Sequence, residues 1–160
     1  MSCSEGHLVF FSVVKEMGSG PSYRYAGVIP MTPDAMLLGK DEATGEWSDF
    51  GGGPDENETP ELTASREAYE ESLGLLGSPD QIREQIVLLS GGVGHHYMMK
   101  LSMNASLPRQ FAQKRKRSKH KDEVFLEKSE IRWVPWHKVG SLKLRPEFRR
   151  SLEEWKWITP

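Results

Sequence analysis

Cysteine is almost missing from this 160-residue chain: Cys3 stands alone, so no internal disulfide can form and no cysteine cluster can hold a metal. Long apolar runs are missing as well. None approaches the roughly 18 to 20 residues of a membrane-spanning helix. The apolar stretch HLVFFSVV (7–14) is short and has no basic flank before it, which argues against a secretory signal. The expectation is a chain that engages no membrane, in a reducing cytoplasmic setting with the nucleus as the alternative. Repeats and low-complexity linkers are also absent. A length of this order suits one core, so residues 1–160 are expected to form one domain.

Charge is scarce in net terms, at −2, but it is unevenly spread. The window RQFAQKRKRSKHK (109–121) holds seven lysines or arginines and no acid, which leaves 14 bases against 23 acids elsewhere. Such a window reads equally well as an electrostatic footprint for a polyanion or as a solvated, mobile loop. A nuclear import signal has the same composition.

Turn residues divide the chain into short strand-like runs. HLVFFSVV, YRYAGVIP, AMLLGK and EWSDFGG read as strands, with Gly45 of DEATG suited to a hairpin that needs positive φ. A helix is expected after Pro60 with Thr59 as its N-cap, over ELTASREAYEES and ending near Gly74. SPDQIREQI reads as a second helix behind Ser78. VLLSGG, HHYMMKLS and EIRWVPW read as strands, and RPEFRRSLEEWKW as a closing amphipathic helix. Strands interleaved with a few helices imply an α+β fold or an α/β/α sandwich.

The most informative stretch is GGGPDENETPELTASREAYEESLGL (51–75), with seven carboxylates behind a glycine triplet. Glu67, Glu70 and Glu71 stand at i, i+3 and i+4 and share one helix face, where like charges repel. Arg66 adjoins them but leaves the helix about 100° from Glu67, so an external cation is the natural counter-charge. Clustered carboxylate oxygens favour Mg²⁺ or Mn²⁺. The glycines let backbone approach a ligand or offer a carbonyl to a metal.

Gly52, five residues, Glu58, seven residues, then Arg66-Glu67-Ala68-Tyr69-Glu70-Glu71 resembles the signature of the Nudix hydrolase superfamily. One departure stands out: the motif's next glycine is displaced to Gly74, so that Leu73 reads as an insertion and the helix is expected to run one residue further. The resemblance implies the Nudix fold with a mixed central sheet. It also implies hydrolysis, by water and Mg²⁺ or Mn²⁺, of a nucleoside diphosphate linked to another moiety. Carried over by position, Glu70 and Glu71 would be the main metal ligands, Glu67 a ligand or water-activating base, and Gly51 a carbonyl ligand. Arg66 would pair with Glu58 or a neighbouring carboxylate to orient the face. A further acid from the late part of the chain is expected, where KDEVFLEKSEIRW offers Asp122, Glu123, Glu127 and Glu130, with Glu127 and Glu123 singled out as able to swing over the metals.

Substrate selection is weakly written. Trp47, Phe50 and Tyr97 could stack on a base, although each also fits a core position. Lys114, Arg115, Lys116 and Arg117 of the basic window could hold phosphates, which admits RNA as a partner and cap removal or diphosphoinositol hydrolysis as alternatives to a nucleotide-like small molecule. His95 and His96 lack a matching ligand set, so no zinc site is expected. A binding module that recognises a phosphorylated ligand or RNA without turnover is the alternative of another class.

Overall fold

The computed structural model describes residues 22–118 and 123–160. The stretch HLVFFSVV, read above as a strand, lies outside the described residues. Seven strands form one mixed sheet: β1 (Tyr25–Met31), β2 (Ala35–Asp41), β3 (Trp47–Ser48), β4 (Phe50–Gly52), β5 (Ile86–Ser90), β6 (Gly94–Lys100) and β7 (Lys128–Pro135). The order runs β3-β2-β1-β6-β5, with β4 also paired to β1 and β7 to β2. Only β1 and β6 run parallel; the other pairs are antiparallel.

Helices cover both faces. Alternation along β1 and β2 divides their side chains between two cores: Ala26, Val28 and Leu37 face one, Ile29, Met36 and Leu38 the other. The first core takes Ala64 and Ala68 of α1 (Pro60–Glu71), Ile82 of α2 (Pro79–Gln85) and Leu107 and Phe111 of α3 (Leu107–Arg117). The second takes Val139 of α4 (Trp136–Val139) and Phe148 and Leu152 of α5 (Pro146–Glu154). The sandwich is therefore α/β/α, and among the described residues no helix is long and apolar enough to cross a membrane.

Local chemistry explains most boundaries. Thr59 caps α1 by accepting from the Leu62 amide at 3.3 Å, Ser78 and Gln81 make a reciprocal capping box on α2, and Gly45 turns the β2–β3 hairpin at φ 72°. EWSDFGG is two strands rather than one, parted at the buried Asp49. The closing helix stops at Glu154, short of Trp157.

Two expectations fail. The basic window is not a loop: through Arg117 it is helix α3, which folds because Pro108 starts it and because Leu107 and Phe111, one turn apart, are buried in the first core. Nor is Leu73 an insertion. Helix α1 ends at Glu71, and the Leu73 amide donates to the Glu70 carbonyl (3.2 Å) while the Gly74 amide donates to the Tyr69 carbonyl (2.8 Å). These are the two bonds of a Schellman stop, with Leu73 in its left-handed slot at φ 56°. Leucine there costs about 1 kcal/mol relative to glycine, offset by a side chain only 4% exposed.

Candidate active site

The box carries its acids to one place because α1 packs against β4, and the loop between them closes back over the helix. An oxygen each from Glu67 and Glu71 of α1 and from Glu127, just before β7, lie within 4.8 Å of one another. Close approach depends on Gly52, where a Cβ would come within 2.5 Å of Glu67 Oε1. Of the two late acids, the structure thus brings Glu127 to the site. The Glu123 side chain lies outside what the structure describes. Gly51 meets Glu71 through its amide, which donates to Oε1 at 2.9 Å.

Arg66 occupies the other half of the acidic cluster. Its Nε and Nη2 fork onto the two Glu58 oxygens at 2.7 and 3.0 Å, and Nη2 also donates to the Gly53 carbonyl at 3.0 Å. Its Nη1 lies 3.1 Å from Glu67 Oε1 and 3.4 Å from Glu70 Oε2. The pairing with Glu58 is the one expected of Arg66; its 100° offset from Glu67 does not keep it from the other acids, because the long side chain curls back over the face. Glu70 is drawn to Arg66 and stands outside the three-carboxylate group.

A second cation reaches the site by a change of register. Ser129 is an extra residue in β7, since Lys40 pairs with Glu130 but Asp41 pairs with Lys128. One extra residue reverses which face the next side chain takes. Lys128 therefore passes over Gly39 to the α1 side, where its Nζ donates to Ser48 Oγ (2.9 Å) and sits 4.0 Å from Glu71 Oε1. Its side chain is 4% exposed.

The charges respond to this packing. The Arg66 fork holds the Glu58 carboxyl at about 2, while burial pushes Glu67 up to about 7 against the pull of Arg66. Burial also raises Glu70, and it raises Glu71 strongly in spite of Lys128. Carboxylates forced together in a poorly hydrated place resist ionising until a cation joins them. The donor set is all oxygen, which fits Mg²⁺ or Mn²⁺ rather than a softer metal.

Beside this group lies a cleft of about 180 Å³ lined by Ser48, Gly51, Glu71, Glu127, Lys128 and Arg145. Arg145 also stands in the wall of a larger cavity of about 510 Å³, with Tyr25, His96 and Trp155. A buried carboxylate fixes it there: Asp49, fully buried, has Arg145 Nη2 3.5 Å from Oδ1, accepts a 2.6 Å bond from the Tyr25 hydroxyl, and lies 3.5 Å from His96 Nδ1. The Arg145 guanidinium lies over the Tyr25 ring at 4.6 Å. Burial alone would raise the Asp49 carboxyl, but His96 and Arg145 hold it below its ordinary value.

Sequence reasoning missed Lys128, Ser48, Asp49 and Arg145. Only Asp49 left a trace, as an acid interrupting an apolar strand run. The proposed stacking residues are core instead: Phe50 is fully buried, and Trp47 and Tyr97 are 5% and 3% exposed, so none offers a free ring face. Arg115 turns inward and donates to backbone carbonyls. Lys114, Lys116 and Arg117 remain exposed along α3.

A family model described as NUDIX domain matches residues 22–158. No curated protein sequence matches the chain. Among solved structures, the chain resembles the Nudix hydrolase RenU of M. smegmatis (TM-score 0.54, 21% identity, covering 84% of each chain). It also resembles the NUDIX domain of Shewanella oneidensis NrtR complexed with ADP ribose (TM-score 0.58, 16% identity, 91% of this chain and 96% of that one). A third is a C. elegans Ap4A hydrolase (TM-score 0.53, 15% identity, 84% and 95%). At these identities the likeness is one of fold.

Proposed function

Because this chain belongs to the NUDIX domain family and is a diphosphate hydrolase of that type, we propose that it cleaves, with Mg²⁺ or Mn²⁺, the diphosphate of a nucleoside diphosphate linked to another moiety. The observation that carries this reading is the convergence of Glu67, Glu71 and Glu127 beside Lys128 and Arg145. Glu67, Glu71 and Glu127 would hold the divalent ion, which when bound neutralises phosphoryl oxygens and lowers the pKa of a coordinated water. Glu70 would join them only on release from Arg66.

The remaining work falls to this chain's own groups. Glu67 stands close enough to the other acids to serve either as a ligand or, in place of that role, as acceptor of the attacking water's proton at its carboxylate. Arg66 and Glu58 orient it, as the partners of a ligand do. Lys128 and Arg145 bring positive charge to the diphosphate from the side opposite Arg66. The larger cavity, which shares Arg145 with the cleft, has room for the part of the substrate that does not react. The ADP ribose and Ap4A named for the similar structures are of this nucleotide class.

A second reading rests on α3. Arg109, Lys114, Lys116 and Arg117 are all exposed on it, and Arg115 ties it to the segment bearing Glu127. A substrate with an extended run of phosphates, such as capped RNA or a diphosphoinositol, would find that cationic face near the cleft.

One screen separates the readings: hydrolysis with Mg²⁺ and with Mn²⁺ of nucleoside di- and triphosphates, dinucleoside polyphosphates, ADP-ribose, nucleotide sugars, diphosphoinositols and capped RNA. Turnover of a nucleotide-type compound, reduced at least about a hundredfold in Glu71→Gln, is the expected result. Turnover confined to capped RNA or diphosphoinositols would favour the second reading. Turnover undiminished in Glu71→Gln would overturn both.

A further inference from the structure

Glu127 is the one member of the three-carboxylate group that does not stand on a helix. It is exposed and occupies the single residue between a 3-10 turn (Glu123–Leu126) and β7. A side chain on such a segment is held no better than its backbone, and a metal ligand must be held to within a fraction of an ångström. The backbone is held unusually well. Three successive carbonyls are each taken: Leu126 by Arg115 Nη2 (3.1 Å), Glu127 by the Glu42 amide (2.8 Å), and Lys128 by Arg115 Nε (2.7 Å). Arg115 Nη2 also lies 3.4 Å from the exposed Glu42 Oε2, a surface contact that adds little to the hold.

We infer that Arg115 is a positioning residue for the metal centre: its guanidinium fork clamps the carbonyls of the residues on either side of Glu127 and so fixes the third carboxylate against Glu67 and Glu71. This rests on the metal-binding reading above and goes beyond it. A guanidinium suits the task because it is planar, always charged and presents several donors in fixed directions. A lysine could keep the charge opposite Glu42 but has no rigid fork to span two carbonyls. Helix α3 is placed for the role by its own packing, since Leu107 and Phe111 are buried while Arg115 is only partly exposed. It also follows that α3 serves the site as a brace whether or not its outer face meets a polyanion.

The test is Mn²⁺ titration, followed by the electron paramagnetic resonance of the free ion, on the full chain and on Arg115→Ala, Arg115→Lys, Glu42→Ala, Glu127→Gln and the Arg115→Ala/Glu127→Gln pair. Loss of a group that supports a ligand typically weakens metal binding about 10- to 100-fold, so Arg115→Ala is expected to weaken Mn²⁺ by about tenfold and Arg115→Lys by several-fold. Glu42→Ala, which keeps the backbone amide, should stay within about twofold. The decisive result is the pair: once Glu127 is an amide, removing Arg115 should weaken Mn²⁺ no further. In turnover, kcat should fall with KM unchanged, because Arg115 does not touch substrate. Mn²⁺ affinity within twofold of wild type in both Arg115 variants, or an undiminished loss in the Glu127→Gln background, overturns the inference. If Glu127→Gln itself leaves Mn²⁺ affinity intact, the metal-binding reading falls and this inference with it. If Glu127→Gln weakens Mn²⁺ and the Arg115 variants do not, only this inference falls. Should Arg115→Ala fail to fold, Arg115→Lys in both backgrounds carries the same comparison.

Discussion

Acid should stabilise this protein when it holds no metal. Glu67 ionises near 7 in the folded chain against an ordinary 4.5, so between those limits the folded state binds a proton that the unfolded state has lost. Stability then falls as pH rises, the reverse of the usual carboxylate. At about 1.4 kcal/mol per pH unit, the difference is worth at most about 3 kcal/mol. Its side chain keeps 12% exposure and can turn toward water, which brings the expectation to about 2 kcal/mol. Glu71, raised in the same direction by deeper burial, adds to the effect. Glu58, held at about 2, acts with the opposite sign. Its stabilisation is full above its unfolded value and is lost only as pH falls from about 4.5 toward 2, so the two windows do not overlap.

The assay is thermal unfolding of chelator-treated protein at pH 8, 7, 6 and 5. For a chain of this length each kcal/mol shifts the midpoint by about 2 to 4 °C, so wild type should gain about 4 to 8 °C on going from pH 8 to pH 5. Glu67→Gln should flatten most of that rise. With saturating Mn²⁺ the slope should reverse, since binding requires ionised carboxylates and weakens as they protonate. A midpoint that falls steadily from pH 8 to pH 5 without metal, or a Glu67→Gln profile parallel to wild type, would refute the burial argument for this site.

Two other substitutions test the frame around the acids. Leu73→Ala removes a buried side chain and leaves a β-carbon at φ 56°, at a cost of about 3 kcal/mol. Leu73→Gly loses the same packing but recovers about 1 kcal/mol of left-handed strain, so in urea the glycine variant should outlast the alanine one. Equal or inverted midpoints would mean that the helix does not stop as described. Asp49→Asn leaves the Arg145 guanidinium without its buried carboxylate, which should cost about 3 kcal/mol or more in stability and reduce kcat/KM through a displaced Arg145. Unchanged unfolding and turnover would show that the Tyr25–Asp49–His96–Arg145 cluster does not set that side chain.

What the sequence made legible was whatever chemistry is local. The Thr59 and Ser78 caps, the Gly45 turn and the strand alternation each act within a few residues, and the box fixes Glu67 and Glu71 on one helix face by spacing alone. Helix α3 was illegible because two buried residues, Leu107 and Phe111, carry it, and four of its last residues are basic. Lys128 was illegible for a different reason. Its face depends on Ser129 slipping the register against Asp41, and a bulge leaves no composition signal. The pairing of Asp49 with Arg145 joins opposite ends of the described chain, as does Trp47 with Leu144 through an isolated bridge; only the folded sheet brings them together.

The reach of Arg66 changes where a cation is needed. As one helix face, Glu67, Glu70 and Glu71 call for one counter-charge between them, with Glu70 and Glu71 at its centre. In three dimensions Arg66 already serves Glu58, Glu67 and Glu70. The unbalanced charge moves to the far side, where Glu67, Glu71 and Glu127 meet and Lys128 is the single cation in contact with Glu71 among the described residues. With Arg66 shared among Glu58, Glu67 and Glu70 and Lys128 set against Glu71, this group holds more acid than base, and a divalent ion would supply the balance. A second ion would need new oxygens, from a diphosphate or from Glu70 once it leaves Arg66. On the proposed reading, a first ion would be held by the protein's own carboxylates, and a second would arrive with the phosphates it neutralises.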